Sequence, residues 1–190
     1  AYLCAYLRSV GEHPVMLFRD SGVDALVQRI VALKPLIVGF GSLYVEIEEI
    51  REVIAALDKA GRDFPVVVGG NMVSPTPEWA TRRTGADFGV VGEGEIILAD
   101  IVRALRSGGD AAEVKGVVIR IDAETQRFNG PGPYLHDIAR LPPVPYDLFP
   151  LDQWLNIGDW YAKHYPWQKL WRAGDKVVNV HGGRGCPNAC

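Results

Sequence analysis

Cys186 and Cys190 form a C-x3-C pair inside the run Gly182-Gly183-Arg184-Gly185-Cys186-Pro187-Asn188-Ala189-Cys190, which follows the β-type segment Val177-Val178-Asn179-Val180-His181. Thiolates are the soft ligands that iron-sulfur clusters need, and glycines let the backbone approach a bulky inorganic group. The pair can therefore belong to a cluster-binding loop. As a spacing alone, C-x3-C also fits half a zinc site or a redox pair. Two thiolates are too few for a cubane cluster, so such a site needs a further ligand. Cys4 stands apart and reads as a small buried hydrophobe on a helix.

Three other loops combine small residues with polar groups: Gly41-Ser42-Leu43, Gly69-Gly70 and Gly92-Glu93-Gly94-Glu95. Each follows an apolar β-type run and lies at or near a helix start, where free backbone N–H groups can receive a polar or anionic group. Any one of them has a plain structural reading as a tight strand-to-helix turn. If the strands are parallel, all three share the carboxyl edge where open α/β sheets bind ligands. That joint placement favours a binding site.

The elements that must position these loops follow from periodicity. Short runs rich in Val, Ile and Phe alternate with amphipathic stretches up to about Leu105, the pattern of a parallel sheet covered by helices. The spacing predicts a helix over 2–10 ended by Gly11, a strand over 15–18 and a helix over 23–33. A strand over 36–40 follows. Leu43, Ile47, Ile50, Ile54 and Leu57 then recur in steps of three and four, which places one apolar stripe on a helix ended by Gly61. Strands over 66–68 and 88–91 and helices over 77–83 and 95–106 complete the unit, which Gly108 and Gly109 close. A sheet of this kind opens on a strand, whereas this chain opens on a helix, so the first strand and its loop are expected to be missing. Residues 116–129 read as a small hairpin and 130–150 as a proline-rich linker. Beyond its middle crowd Tyr146, Phe149, Trp154, Trp160, Tyr161, Tyr165, Trp167 and Trp171, which either pack the linker onto its neighbours or line a contact surface.

Composition narrows the function classes. The 190 residues are 48% hydrophobic with a net charge of −3. The basic residues are scattered, with no footprint for nucleic acid and no polybasic membrane patch. No apolar run approaches the roughly 20 residues that span a bilayer, and the first residues carry no signal-peptide pattern. Three cysteines make no disulfide framework. The expected location is the cytoplasm.

The run GGRGCPNAC resembles the start of the radical S-adenosylmethionine (radical SAM) signature, C-x3-C-x2-C, down to its small residues, its basic residue and the proline after the first cysteine. The earlier residues resemble the cobalamin-binding domain that precedes many radical SAM enzymes. The matching residues are Ala5-Tyr6-Leu7-Arg8 with Gly11, Val38 to Leu43, Val66-Val67-Val68-Gly69-Gly70, Val91-Gly92-Glu93-Gly94-Glu95 and the linker Leu141-Pro142-Pro143-Val144-Pro145-Tyr146-Asp147-Leu148-Phe149.

The resemblance implies a flavodoxin-like, doubly wound parallel sheet of the cobalamin-binding type over residues 1–109. A hairpin and linker over 110–175 and the start of a radical SAM partial barrel over 176–190 would follow. It implies that Ser42, Leu43, Gly69, Gly70, Gly92, Glu93 and Gly94 bind cobalamin, and that Cys186 and Cys190 hold a [4Fe-4S] cluster with a third cysteine beyond the chain. Such enzymes use S-adenosylmethionine, an electron donor and a small-molecule substrate, and often deliver a methyl group to an unactivated carbon; some relatives rearrange or cyclise instead. Gly41 departs from the family's S-x-L pattern, so Ser42 either takes over the serine's role or caps the helix. His13 falls on the opposite edge of the sheet, His136 and His164 read as packing or solvent histidines, and His181 as a structural strand-end residue. The alternative is a non-catalytic cobalamin carrier or sensor whose terminal cysteines are incidental. A methylthiotransferase would carry more cysteines in its first domain.

Overall fold

Three short strands, β1 (Val38–Gly41), β2 (Val66–Gly69) and β3 (Phe88–Val90), lie side by side in parallel, with Val38 opposite Val66 and Val67 opposite Phe88. In the computed structural model, which describes residues 1–19, 22–41, 43–155, 157–165, 167 and 174–176, the chain divides into two compact units, 1–142 and 143–190. The sheet belongs to the first. It is five-stranded in the order β1-β2-β3-β4-β5, because β4 (Val117–Arg120) joins β3 antiparallel and β5 (Gln126–Phe128) joins β4.

The alternation of side chains along β2 divides the interior in two. Val66 and Val68 are buried against α2 (Gly22–Leu33) and α3 (Ile47–Lys59), with Leu26, Ile30, Ile50, Ile54 and Leu57 in the same cluster. Val67 points the other way, into a cluster with Val90, Val117 and Ile119 and with Ile97 and Ile101 of α5 (Gly94–Ser107). Helix α1 (Tyr2–Ser9) covers that second face beside α5, through Leu7, Ala99 and Val102. Both faces are therefore covered, as the α/β reading requires. Helix α4 (Pro77–Thr84) carries the chain from β2 to β3. In the second unit, α6 (Leu151–Trp154) and α7 (Ile157–His164) are short helices.

Two expectations are corrected. Residues 15–18 form no strand; Leu17 packs on the first core and Met16 Sδ lies 3.2 Å from Cys4 Sγ. A strand needs a ladder partner, and among the described residues β1 pairs only with β2, so residues 15–18 add no strand to its other side. Leu43 does not belong to the α3 stripe. A 3-10 turn over Tyr44–Glu46, closed by the Leu43 N–H donating to Glu46 Oε2 at 3.3 Å, delays the helix to Ile47 and leaves Leu43 58% exposed. The hairpin expected over 116–129 adds to the sheet, its β4 pairing with the edge that β3 would otherwise leave open.

Candidate functional site

The carboxyl ends of β1, β2 and β3 meet at one edge, as their parallel pairing demands. Here the second sheet face changes character. Lower down it carries Val67 and Phe88. Beside Val67 it carries Gly39 of β1, whose missing Cβ would stand 3.5 Å from Val67 Cγ1, and at the edge Gly41 of β1 and, level with it, Gly69 of β2, whose missing Cβ would stand 3.7 Å from Val90 Cβ. A Cβ on Gly41 would meet nothing within 4 Å. The absent side chains leave a trough along the sheet, bordered where α5 begins by Gly94 and by Leu3 of α1, whose Cδ2 would lie 3.0 Å from a Gly94 Cβ.

Gly92 turns the chain from β3 into α5 with φ +86, and a Cβ there would also point into open space. Its N–H donates to Ser74 Oγ at 3.1 Å, which ties the loop after β3 to the loop after β2. Gly70 has φ +82 and begins a 3-10 turn whose Met72 is buried. Both conformations suit glycine because an L side chain is strained at positive φ. The first turn of α5 faces the same edge, and backbone N–H groups there lack intrahelical acceptors. The edge thus offers a bare backbone floor, two glycine turns and a helix N-terminus to a large ligand with polar appendages.

The sequence-predicted residues divide accordingly. Gly69, Gly70, Gly92 and Gly94 come together at this edge. Leu43 stands exposed at the same edge after β1. Glu93 sits in the loop, but its Oε2 accepts the Leu135 N–H at 2.7 Å, a contact with the segment after the hairpin. Ser42, Cys186 and Cys190 lie outside the described residues. Among the described residues no cluster of His, Cys, Asp and Glu has metal-binding geometry, and Cys4 is buried, its thiol pushed above the ordinary value by that burial. Sequence reasoning missed Ser74 and Leu135, whose contacts bridge 18 and 42 residues and leave no local signal. It also missed Tyr44 stacked on Trp79, ring centroids 5.5 Å apart and planes 12° from parallel.

An open concavity lined by Val10, Glu12, Ala99, Arg103, Arg106 and Ser107 lies at the other end of α1 and α5. Its arginines are committed, Arg106 to Glu12 and Arg103 to Asp100, so it offers no ready anion site.

A doubly wound sheet with a glycine-floored carboxyl edge defines a class of α/β ligand-binding domains. The B12-binding domain family matches residues 1–102, and the chain belongs to that family. An uncharacterized methyltransferase of Pyrococcus horikoshii, PH0819, is 27% identical over 163 residues, which cover 83% of this chain and 35% of that protein. The radical S-adenosylmethionine methyltransferase TsrM of Kitasatospora setae, solved with tryptophan substrate and a SAM analogue, matches 64% of this chain and 25% of its own, at 27% identity and a TM-score of 0.58. Another TsrM structure contains cobalamin and a [4Fe-4S] cluster and is similar at 26% identity and TM-score 0.57. The cobalamin-dependent S-adenosylmethionine radical enzyme OxsB shares the fold over 76% of this chain and 20% of its own, at 18% identity and TM-score 0.62. The chain therefore spans about a third of its curated relative and a quarter or less of the solved enzymes.

Proposed function

We propose that this chain is the cobalamin-binding part of a cytoplasmic, cobalamin-dependent radical SAM enzyme, with methyl transfer as its reaction class. The observation that carries the reading is the glycine-floored carboxyl edge within a B12-binding domain. Cobalamin fits it on steric grounds. Gly41 and Gly92 face open space, and Gly69 adds no side chain beside Val90, which leaves room for a broad macrocycle and its nucleotide tail. Gly69, Gly70, Gly92 and Gly94 are the residues that would hold it, with Ser42 and Leu43 on the loop after β1. When bound, cobalamin would supply a transferable methyl group, and a [4Fe-4S] cluster would supply the electron that cleaves S-adenosylmethionine. The residues of this chain bind and orient; Cys186 and Cys190 are the proposed cluster ligands. A small-molecule substrate and an electron donor complete the proposal.

Gly41 makes a clean test because its φ is not positive and its Cβ position is empty, so Gly41→Phe fills the trough without straining the strand. Titration with hydroxocobalamin, followed by the corrin spectrum, should show tight binding by the parent and at least about tenfold weaker binding by the variant, from steric exclusion. A parent that does not bind, or an equally tight Gly41→Phe variant with an unchanged melting curve, overturns the site. Anaerobic reconstitution of the full-length protein with iron and sulfide should give a cluster that is lost when Cys186 and Cys190 are both replaced by alanine. A cluster that survives those replacements removes the cysteines from the proposal; a full-length protein that binds cobalamin and no cluster is the carrier or sensor instead.

A further inference from the structure

We propose that Tyr134 and His136, on the segment after the hairpin, form part of the cobalamin-binding surface, and that Glu93 is the positioning residue that holds them there. The inference rests on the cobalamin reading above and assigns a role to a stretch that otherwise reads as linker.

The segment is fixed at several points. Gly116 N–H donates to the Gly130 carbonyl at 2.9 Å, and the Asn129 side-chain amide donates to the Ala112 and Val114 carbonyls at 2.9 and 3.1 Å. Gly132 then crosses Gly116 so closely that a Cβ on Gly132 would stand 3.1 Å from the Gly116 Cα, and one on Gly116 would stand 3.0 Å from the Gly132 Cα. Gly116 accompanies the end of β3, since its carbonyl accepts the Val91 N–H at 2.9 Å. The segment therefore passes over the carboxyl end of β3, directly beside the Gly92–Gly94 loop. The Glu93 carboxylate closes the arrangement by accepting the Leu135 N–H at 2.7 Å.

Burial alternates across that bond. Leu135 is half-buried, whereas Tyr134 is 70% exposed and His136 is exposed. The two rings share the outward side, with centroids 6.1 Å apart. A backbone pinned by a charge-assisted hydrogen bond thus presents a phenol and an imidazole to solvent beside the glycine turn at the head of α5. Both are amphipathic rings that donate and accept hydrogen bonds. The rim of a corrin, a ring of primary amides around an apolar macrocycle, is the ligand chemistry they suit. Glu93 acts through Leu135 in this scheme, which accounts for a carboxylate in the cofactor loop without requiring it to touch the cofactor.

The test is hydroxocobalamin titration of the full-length protein, read from the corrin spectrum, with thermal melting of each variant alongside. The double variant Tyr134→Ala/His136→Ala should raise Kd about tenfold, the scale of two lost net hydrogen bonds, with an unchanged melting curve because both side chains are exposed. Glu93→Ala should raise Kd to a similar extent. Glu93→Gln keeps a carbonyl acceptor for the Leu135 N–H and should restore most of the affinity. Parent-like binding by the double variant overturns the inference while the cobalamin reading stands. A Glu93→Gln variant as weak as Glu93→Ala overturns the positioning role. A parent that binds no cobalamin overturns both.

Discussion

Gly89 shows how little freedom a single position retains in this fold. It lies on the first face of β3, under α4, where an added Cβ would overlap Thr81 Oγ1 and come within 3.3 Å of Val73 Cγ1. Thr81 is fully buried and donates to the Pro77 carbonyl at 2.8 Å, so it cannot rotate away without losing that bond. Gly89→Ala should lower unfolding free energy by about 1–3 kcal/mol, the usual range for overpacking a core, as read by urea denaturation. An unchanged midpoint would mean that α4 lifts freely. Glu12 carries a different kind of residue-scale prediction. Both its oxygens accept from Arg106, at 2.9 and 2.6 Å, and that hydrogen bond holds its carboxyl below the usual glutamate range. A carboxyl lowered on folding stabilises fully above the unfolded value of about 4.3, and the contribution disappears as pH falls through the folded value. Glu12→Gln should therefore reduce stability at neutral pH and flatten its pH dependence in the acid window. Arg106 is exposed, so solvent screening keeps the effect small.

Between elements, Asp87 ties together strands that the chain makes far apart. Its Oδ2 accepts from Arg62 Nη1 at 2.6 Å and from the Val66 N–H at 2.8 Å, and its Oδ1 accepts from Arg120 Nη2 at 3.3 Å. The turn after α3, the start of β2 and the end of β4 thus converge on one carboxylate at the entry to β3. This knot lies at the amino ends of β2 and β3, opposite the candidate site. Asp87→Ala should cost about 1–3 kcal/mol, because it leaves the Val66 N–H at the entry to β2 without its acceptor and takes one carboxylate from the nearly buried Arg62, which keeps Asp58 and the Phe64 carbonyl. Asp58 also binds Arg62, at 2.6 Å, but is half exposed, so Asp58→Ala should cost less than about 1 kcal/mol. Equal losses in urea denaturation would refute the assigned hierarchy. The same comparison should leave cobalamin affinity unchanged, since neither residue reaches the carboxyl edge.

For the whole molecule, the division into units 1–142 and 143–190 places the exposed Arg140 just before the boundary. Trypsin should cut early after Arg140, because the 3-10 turn over Ile138–Arg140 offers few hydrogen bonds to resist local opening. The released 1–140 fragment should keep the melting transition of the five-stranded sheet, as followed by mass spectrometry and circular dichroism. First cleavage inside α3 or α5 would show that the sheet unit opens before its boundary.

Some of this protein was written in local sequence. The stripe Ile47, Ile50, Ile54 and Leu57 is buried on α3 as its spacing required, and the valine run of β2 and the glycines at the helix ends fall where periodicity and backbone freedom put them. The three glycine loops were visible because each is punctuation within a few residues, and parallel pairing alone brings them to one edge. Other features depended on partners distant in the chain. Residues 15–18 have strand composition but join no ladder, and ladder pairing is a non-local property that composition does not report. The hairpin joined the sheet because β3 presented an open edge, and Glu93 turned toward Leu135 across 42 residues. Periodicity reports which face of an element is apolar; only the packed chain decides which edge is open, which carboxylate is already engaged and which side chains stand beside the site.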